Sequence, residues 1–228
     1  MLSSVEPRLL VMKFGGTSVG NSEAISSAVG MVRKGLQEWD NVVVVVSALG
    51  GVTDLLLEGA LTSAGGCNKT TASIKNELRK RHFAVIDELL PEEKIREGAR
   101  FFCEKLLDRW EILCNAIREL GETTPRALDA VSSIGEKLSA HLVALVLDSG
   151  GISSCCQVST EFFITDSNFQ AAHPDMTVTR AKTRSALMPL LENGAVPVVT
   201  GFIGSNPDGV TTTLGRGGSD YSAAILAA

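Results

Sequence analysis

The sequence predicts an α/β fold with a mainly parallel central sheet flanked by helices, and three observations carry that prediction. Two short aliphatic runs, Leu9–Met12 and Val42–Val46, each lead into a glycine-bearing turn. After each turn come apolar residues at helical spacing, as in Ile25, Val29, Val32 and Leu36. The valine run is uniformly β-branched, the composition of a parallel strand covered on both faces. Strand, glycine loop and helix, repeated twice, is the signature of a sheet wrapped by its own crossover helices.

The elements follow in order. Leu9–Met12 reads as a buried strand leading into the turn Lys13-Phe-Gly-Gly16, and 22–38 as an amphipathic helix. Val42–Val46 is the second strand, 47–53 a small-residue loop, and 54–62 the next helix. From Asn68 to Leu120 charge density rises and no strand-like run occurs. This stretch reads as two long helices, a helical insertion of about 67–128, with Pro91 where a helix could start. A further helix is expected over 133–147, with Ser133-Ile-Gly-Glu136 fitting a capping box. Short strands are expected at 152–158 and 162–165, a helix at 177–191, and a strand at 195–200 ending in Gly201-Phe202. Asn206-Pro-Asp-Gly209 is a turn signal before a strand at 210–213. The chain ends in an apolar helical pattern after Gly217-Gly218-Ser219-Asp220.

Composition narrows the function. The 228 residues are 44% hydrophobic, enough for a sizeable core, and the formal charge of −5 argues against a general nucleic-acid or anionic-membrane surface. A local basic pocket is compatible with that balance. Five cysteines without a C-x-x-C pair, and no signal-peptide pattern, point to reduced thiols and a cytoplasmic setting. The three histidines do not cluster, so no metal site built from His and Cys is expected. The uninterrupted aliphatic runs, such as Leu142–Leu147, are too short to span a bilayer.

Four motifs carry chemistry. Lys13-Phe-Gly-Gly-Thr-Ser18 sets a lysine at a strand end before two glycines, where backbone N–H groups can cradle phosphate. The alternative is an ordinary strand-to-helix turn, and the order differs from a P-loop, whose lysine follows its glycines. Ser47-Ala-Leu-Gly-Gly-Val-Thr-Asp54 is a second glycine loop at a second strand end, so both loops would face one crevice. Ser47 could donate to phosphate and Thr53 to a small substrate, while Thr53 or Asp54 could equally be a helix N-cap. Glu136 is either the capping-box partner of Ser133 or the receiver of a substrate ammonium. In Thr211–Ser222, Arg216 can pair bidentately with a carboxylate, Ser219 could cap the last helix, and Asp220 suits its first turn.

Together, Lys13-Phe-Gly-Gly-Thr-Ser-Val19, Ser47-Ala-x-Gly-Gly-Val-Thr-Asp54, Gly135-Glu136, Gly201-Phe202 and Thr212-Thr-Leu-Gly-Arg-Gly-Gly-Ser-Asp-Tyr221 resemble the aspartate kinases of the amino acid kinase superfamily. The order and spacing match from residue 13 to the chain end. The resemblance implies a three-layer sandwich and transfer of a phosphoryl group from ATP, with Mg²⁺, to the side-chain carboxylate of L-aspartate. It also implies roles. Lys13 would contact the transferring group, with Gly15, Gly16 and Ser47 around the phosphates. Arg216 would hold the α-carboxylate, with Thr53, Phe202 and Ser219 nearby. Glu136 would receive the α-ammonium, and Asp220 would orient Lys13 or the magnesium-nucleotide.

Aspartate kinases continue with a T-D-V-x-G segment that forms much of the nucleotide site, and with regulatory domains. The resemblance therefore implies that residues 1–228 are the amino-terminal, substrate-binding part of a catalytic domain, homo-oligomeric at full length. A kinase of another small acid, such as N-acetylglutamate or glutamate, and a fragment that binds without turnover are the competing readings.

Overall fold

A run of five valines is satisfied only by burial on both sides, and strand β2 (Asn41–Val46) obtains it. Val42, Val44 and Val46 enter one core, while Val43 and Val45 enter another on the opposite face. The computed structural model describes residues 7–66 and 68–228; Cys67 lies outside them. Strand β1 (Leu9–Phe14) pairs in parallel with β2. Strands β3 (Ser154–Gln157) and β4 (Val196–Thr200) complete a parallel sheet of order β1-β2-β4-β3. Strands β5 (Ile203–Ser205) and β6 (Thr211–Thr213) form a separate antiparallel pair.

Helices cover both faces, giving three layers. Helices α1 (Ser22–Glu38), α2 (Val52–Ala64), α3 (Asn68–Leu89), α4 (Glu93–Leu120) and α5 (Pro125–Ser149) share the larger core with β2 and β4. Helices α6 (Met176–Glu192) and α7 (Gly218–Ala227) cover the other face with Phe162 and Phe163. The helical segment α3–α4 is not packed apart from the sheet. Trp110 of α4 is fully buried and donates its indole N–H to Leu56 O at 3.1 Å. Gly59 makes room for it, since a Cβ there would stand 2.2 Å from the indole ring. Charged faces of α3 and α4 also pair with each other: Lys75 with Asp108 at 2.7 Å, Arg79 with Glu104, and Arg100 with Asp87 at 2.5 Å.

Several sequence expectations are corrected. Helix α5 begins eight residues before Ser133, at Pro125, with the Thr124 hydroxyl oxygen accepting the Ala127 amide at 3.2 Å. Ser133 lies inside the helix and donates to Ala130 O, so there is no Ser133–Glu136 capping box. Thr53, Asp54 and Ser219 are not N-caps either, because Gly51 and Gly217 take those positions at φ 75°. Residues 162–165 form no ladder; they follow a 3-10 turn and make only isolated bridges. Strand β3 starts at Ser154 rather than at Ile152. Helix α5 is also long and apolar enough by composition to cross a membrane, which the short aliphatic runs understated. In the fold 78% of its most apolar window is buried, so it serves as the central core helix.

Candidate active site

In parallel sheets, ligands collect outside the carboxyl ends of the strands. Here those ends are in register, with Phe14 opposite Val46 and Val46 opposite Thr200. The segments that continue from them, at Gly15, Ser47 and Gly201, therefore open on one side. A cleft of about 810 Å³ lies there. Lys13, Gly16, Ser47, Thr53, Glu136, Phe202, Arg216, Ser219 and Asp220 all line it. Of the residues expected from sequence, Gly15 alone is absent from the wall, but it lies under Lys13: a Cβ there would be 3.3 Å from Nζ. A second cleft of about 770 Å³ is lined by Asp166, Asp175 and Asn206, whose oxygens are engaged in local turns and a helix cap.

One wall is the start of α7. Lys13 Nζ lies 2.9 Å from Asp220 Oδ1 in the first helical turn, and the lysine side chain is 26% exposed. Ser47 donates its hydroxyl to Ser219 Oγ at 2.9 Å, joining the second glycine loop to the same turn. Close approach requires two glycines. A Cβ on Gly201 would stand 2.7 Å from Ser219 Oγ, and one on Gly218 would stand 2.8 Å from the Phe202 ring. Phe202 itself adopts φ 68°, a costly backbone for a non-glycine residue. Its N–H is held by Ser222 Oγ at 3.0 Å and its carbonyl by the Leu214 amide at 2.8 Å.

The opposite wall is α5. Glu136 is 3% exposed, and its Oε1 accepts the Ala48 amide at 3.2 Å. Gly135 allows this approach, since a Cβ there would lie 2.7 Å from that of Ala48. The second oxygen, Oε2, is buried without a hydrogen-bond partner among the described residues. Burial pushes the Glu136 carboxyl up to about 7, against the opposing effect of the Ala48 amide. A buried, half-satisfied carboxylate is costly in the free protein and calls for a donor.

Arg216 is exposed on the turn between β6 and α7, flanked by Gly215 and Gly217, both at φ 75°. Arg216 lines the cleft, and its guanidinium makes no ion pair with the described residues. Thr53 lies in the first turn of α2, half-buried, where unpaired helix N–H groups favour an anion. The cleft thus combines two cationic side chains and a helix start with two buried carboxylates, Glu136 and Asp129, of which only Glu136 keeps an oxygen without a partner among the described residues, and with the exposed Asp54 and Asp220.

Asp129, missed in the sequence, also lines the cleft. It is buried and accepts three hydrogen bonds, from the Gln170 and Thr213 amides and the Thr213 hydroxyl. Burial raises its carboxyl, opposed by those three donors. The available signal was position: Asp129 precedes Glu136 by seven residues, about two helical turns.

Comparison with known proteins identifies the family. The model of the amino acid kinase family matches residues 8–228. Lysine-sensitive aspartokinase 3 of Escherichia coli (strain K12) is 34% identical over 221 residues, covering 96% of this chain and 46% of the relative. An aspartokinase of Chlamydia muridarum (strain MoPn / Nigg) is 33% identical over 217 residues, covering 95% of this chain and 44% of the relative. The crystal structure of E. coli aspartokinase III in complex with aspartate and ADP superposes with a TM-score of 0.85 at 33% identity, over 96% of this chain and 46% of that one. The chain spans less than half the length of these relatives. With the three-layer fold, the register of the strand ends and the match over 8–228, the chain belongs to the amino acid kinase family.

Proposed function

We propose that this chain forms the L-aspartate-binding part of an aspartate kinase, which transfers the γ-phosphoryl group of ATP to the side-chain carboxylate and yields 4-phospho-L-aspartate. The observation that carries the reading is Glu136 Oε2, a buried carboxylate oxygen without a partner among the described residues, in the cleft that also holds Lys13 and Arg216. An α-ammonium would satisfy that oxygen and favour the ionised carboxylate. Arg216 would take the α-carboxylate through two parallel N–H donors, with Thr53, Phe202 and Ser219 shaping the wall beside it. The similarity to an aspartokinase crystallised with aspartate and ADP supports the same substrates.

The side-chain carboxylate is then free to point toward Lys13. It is already a competent nucleophile, so no general base is required. One of its oxygens bonds to the γ-phosphorus as the bond from that phosphorus to the bridging oxygen of ADP breaks. Lys13, the amides around Gly16 and Gly50, and Ser47 supply donors where negative charge builds up. Gly16 fits close packing of the two loops, as a Cβ there would meet Ala48 O at 3.1 Å. Mg²⁺ would supply charge neutralisation on the phosphate oxygens. Among the described residues no group of three or more His, Cys, Asp or Glu could hold a metal. In this reading the ion would arrive with the nucleotide, and Asp220 is the carboxylate of this chain beside Lys13. We assign the larger share of the nucleotide pocket to the part of the relatives' length that this chain does not span.

Glu136 also separates substrates. N-acetylglutamate has an acylated, uncharged nitrogen and offers no ammonium to a buried carboxylate, so L-aspartate fits better. The test is calorimetric titration of the chain with both acids, followed by ATP–Mg²⁺ assays with hydroxylamine trapping of acyl phosphate in a chain extended to the relatives' length. L-aspartate binding and aspartyl hydroxamate are expected. Binding or turnover of N-acetylglutamate instead would overturn the assignment.

A further inference from the structure

Asp129 is a buried carboxylate that the proposed reaction does not use. It is 1% exposed and lies on the cleft-facing side of α5, as Glu136 does. Unlike Glu136, it has both oxygens engaged within the chain. Oδ2 accepts the Gln170 amide at 3.0 Å and the Thr213 amide at 2.9 Å, and Oδ1 accepts the Thr213 hydroxyl at 2.8 Å. Bonds from such donors to a buried carboxylate are charge-assisted and directional.

The donors belong to two segments that meet beside Arg216. Thr213 ends β6, three residues before the arginine. Gln170 sits at φ 70°, and its carbonyl oxygen lies 3.0 Å from where a Cβ on Gly215 would stand. The Ala172 amide donates to Thr213 O at 2.9 Å, tying the same two segments together again. Gly215 therefore passes between a strand end and a turn that are both fastened to one side chain of α5.

We propose that Asp129 is a positioning residue that fixes the seat of Arg216 relative to Glu136, so that one rigid helix sets the separation of the α-carboxylate and α-ammonium subsites. This rests on the reading of Arg216 and Glu136 as those subsites. The physical basis is pre-organisation: a glycine-flanked arginine samples many orientations unless its turn is held, and each costs binding free energy. Removing the carboxylate leaves three buried donors unpaired and releases the turn, so the loss falls on recognition of the α-carboxylate.

The test compares L-aspartate with β-alanine, which keeps the ammonium and the distal carboxylate but lacks the α-carboxylate. NMR titration of the 228-residue chain gives both affinities and their ratio. Asp129→Ala should lower the preference for L-aspartate at least fivefold and leave β-alanine affinity within twofold. Asp129→Asn should restore the preference, because its amide oxygen can accept both backbone N–H groups while the Thr213 hydroxyl turns to accept from the amide nitrogen. Equal weakening of both ligands in Asp129→Ala, or an unchanged preference, overturns the positioning role and leaves the subsites standing. A wild-type chain with no preference for L-aspartate, unaffected by Arg216→Ala, overturns both. If Asp129→Ala does not fold, Thr213→Val removes a single donor. Faster amide exchange confined to 215–218 with a reduced preference is then expected, and unchanged exchange with an unchanged preference rejects the proposal.

Discussion

The ammonium of Lys13 lies 2.9 Å from Asp220 Oδ1, tying the end of β1 to the first turn of α7. An exposed aspartate that holds a lysine beside two glycine turns orients the charge without burying it. Lys13→Ala in a chain extended to the relatives' length should reduce kcat by roughly 10²–10³, the usual loss when a donor to developing charge is removed. Its KM for L-aspartate should change by less than about fivefold on the proposed division of roles. Hydroxamate formation at saturating substrate measures this, and an unchanged kcat removes Lys13 from the transfer step.

The Glu136 carboxyl sits at about 7 because it is buried, and it must be ionised to receive an ammonium. Affinity for L-aspartate should thus be flat above pH 7 and fall about tenfold per pH unit below it, with proton release on binding. Calorimetry in buffers of different ionisation enthalpy reads both quantities. A flat profile from pH 5.5 to 8 would rule out Glu136 as the receiver.

The same residue makes a prediction about stability. Its folded pKa is about 7 against an ordinary 4.5, so between those values the folded state binds more protons than the unfolded one. Its contribution to stability accordingly declines as pH rises from 4.5 to 7 and then levels off. Glu136→Gln removes that penalty, and the variant should be more stable than wild type at pH 8 by up to about 3 kcal/mol. Near pH 4 the two should melt alike. Equal melting temperatures at pH 8 would refute the origin given for the raised value.

Arg216→Lys keeps the charge but loses the paired donors that match a carboxylate. On the proposed role it should weaken L-aspartate binding by about 10–100-fold, the equivalent of one or two charge-assisted hydrogen bonds. Nucleotide affinity should stay within about twofold. Comparable losses for both ligands would argue against the α-carboxylate assignment.

Gly59→Ala tests the union of the helical segment with the sheet domain. The added methyl would meet the Trp110 ring at 2.2 Å, and that ring is fixed by its bond to Leu56 O. Overpacking of this kind costs about 1–3 kcal/mol. Denaturant unfolding should show one cooperative transition at a lower midpoint, and an unshifted midpoint would contradict the packing described.

Much of this was legible in the residues themselves. The 3.6-residue spacing of Ile25, Val29 and Val32 and the unbroken valines of β2 specify their elements locally. The loops at strand ends were legible because glycine marks them. The start of α5 was lost to a coincidence: Ser133 and Glu136 have capping-box spacing, while the true signal was Thr124 before Pro125. Thr53 and Ser219 looked like caps, yet Gly51 and Gly217, in left-handed conformations, hold those places. Spacing from Glu136 could have placed Asp129 near the cleft, but its engagement could not be read locally, since its partners Gln170 and Thr213 lie 41 and 84 residues away. Nor could the orphaned oxygen of Glu136, which depends on how closely Gly135 lets α5 approach Ala48.

Helix α5, by composition apolar enough to cross a bilayer, has a consequence for how the chain is made. A nascent segment of this kind carries a long apolar surface, and the order of synthesis determines when that surface is covered. Helices α2 and α4, against which it packs, emerge from the ribosome first and offer a surface as α5 appears. Strands β3, β4 and β6, which also pack on it, follow later in the chain. Fusions or truncations that delay α2 or α4 would leave this long apolar helix without its shelter.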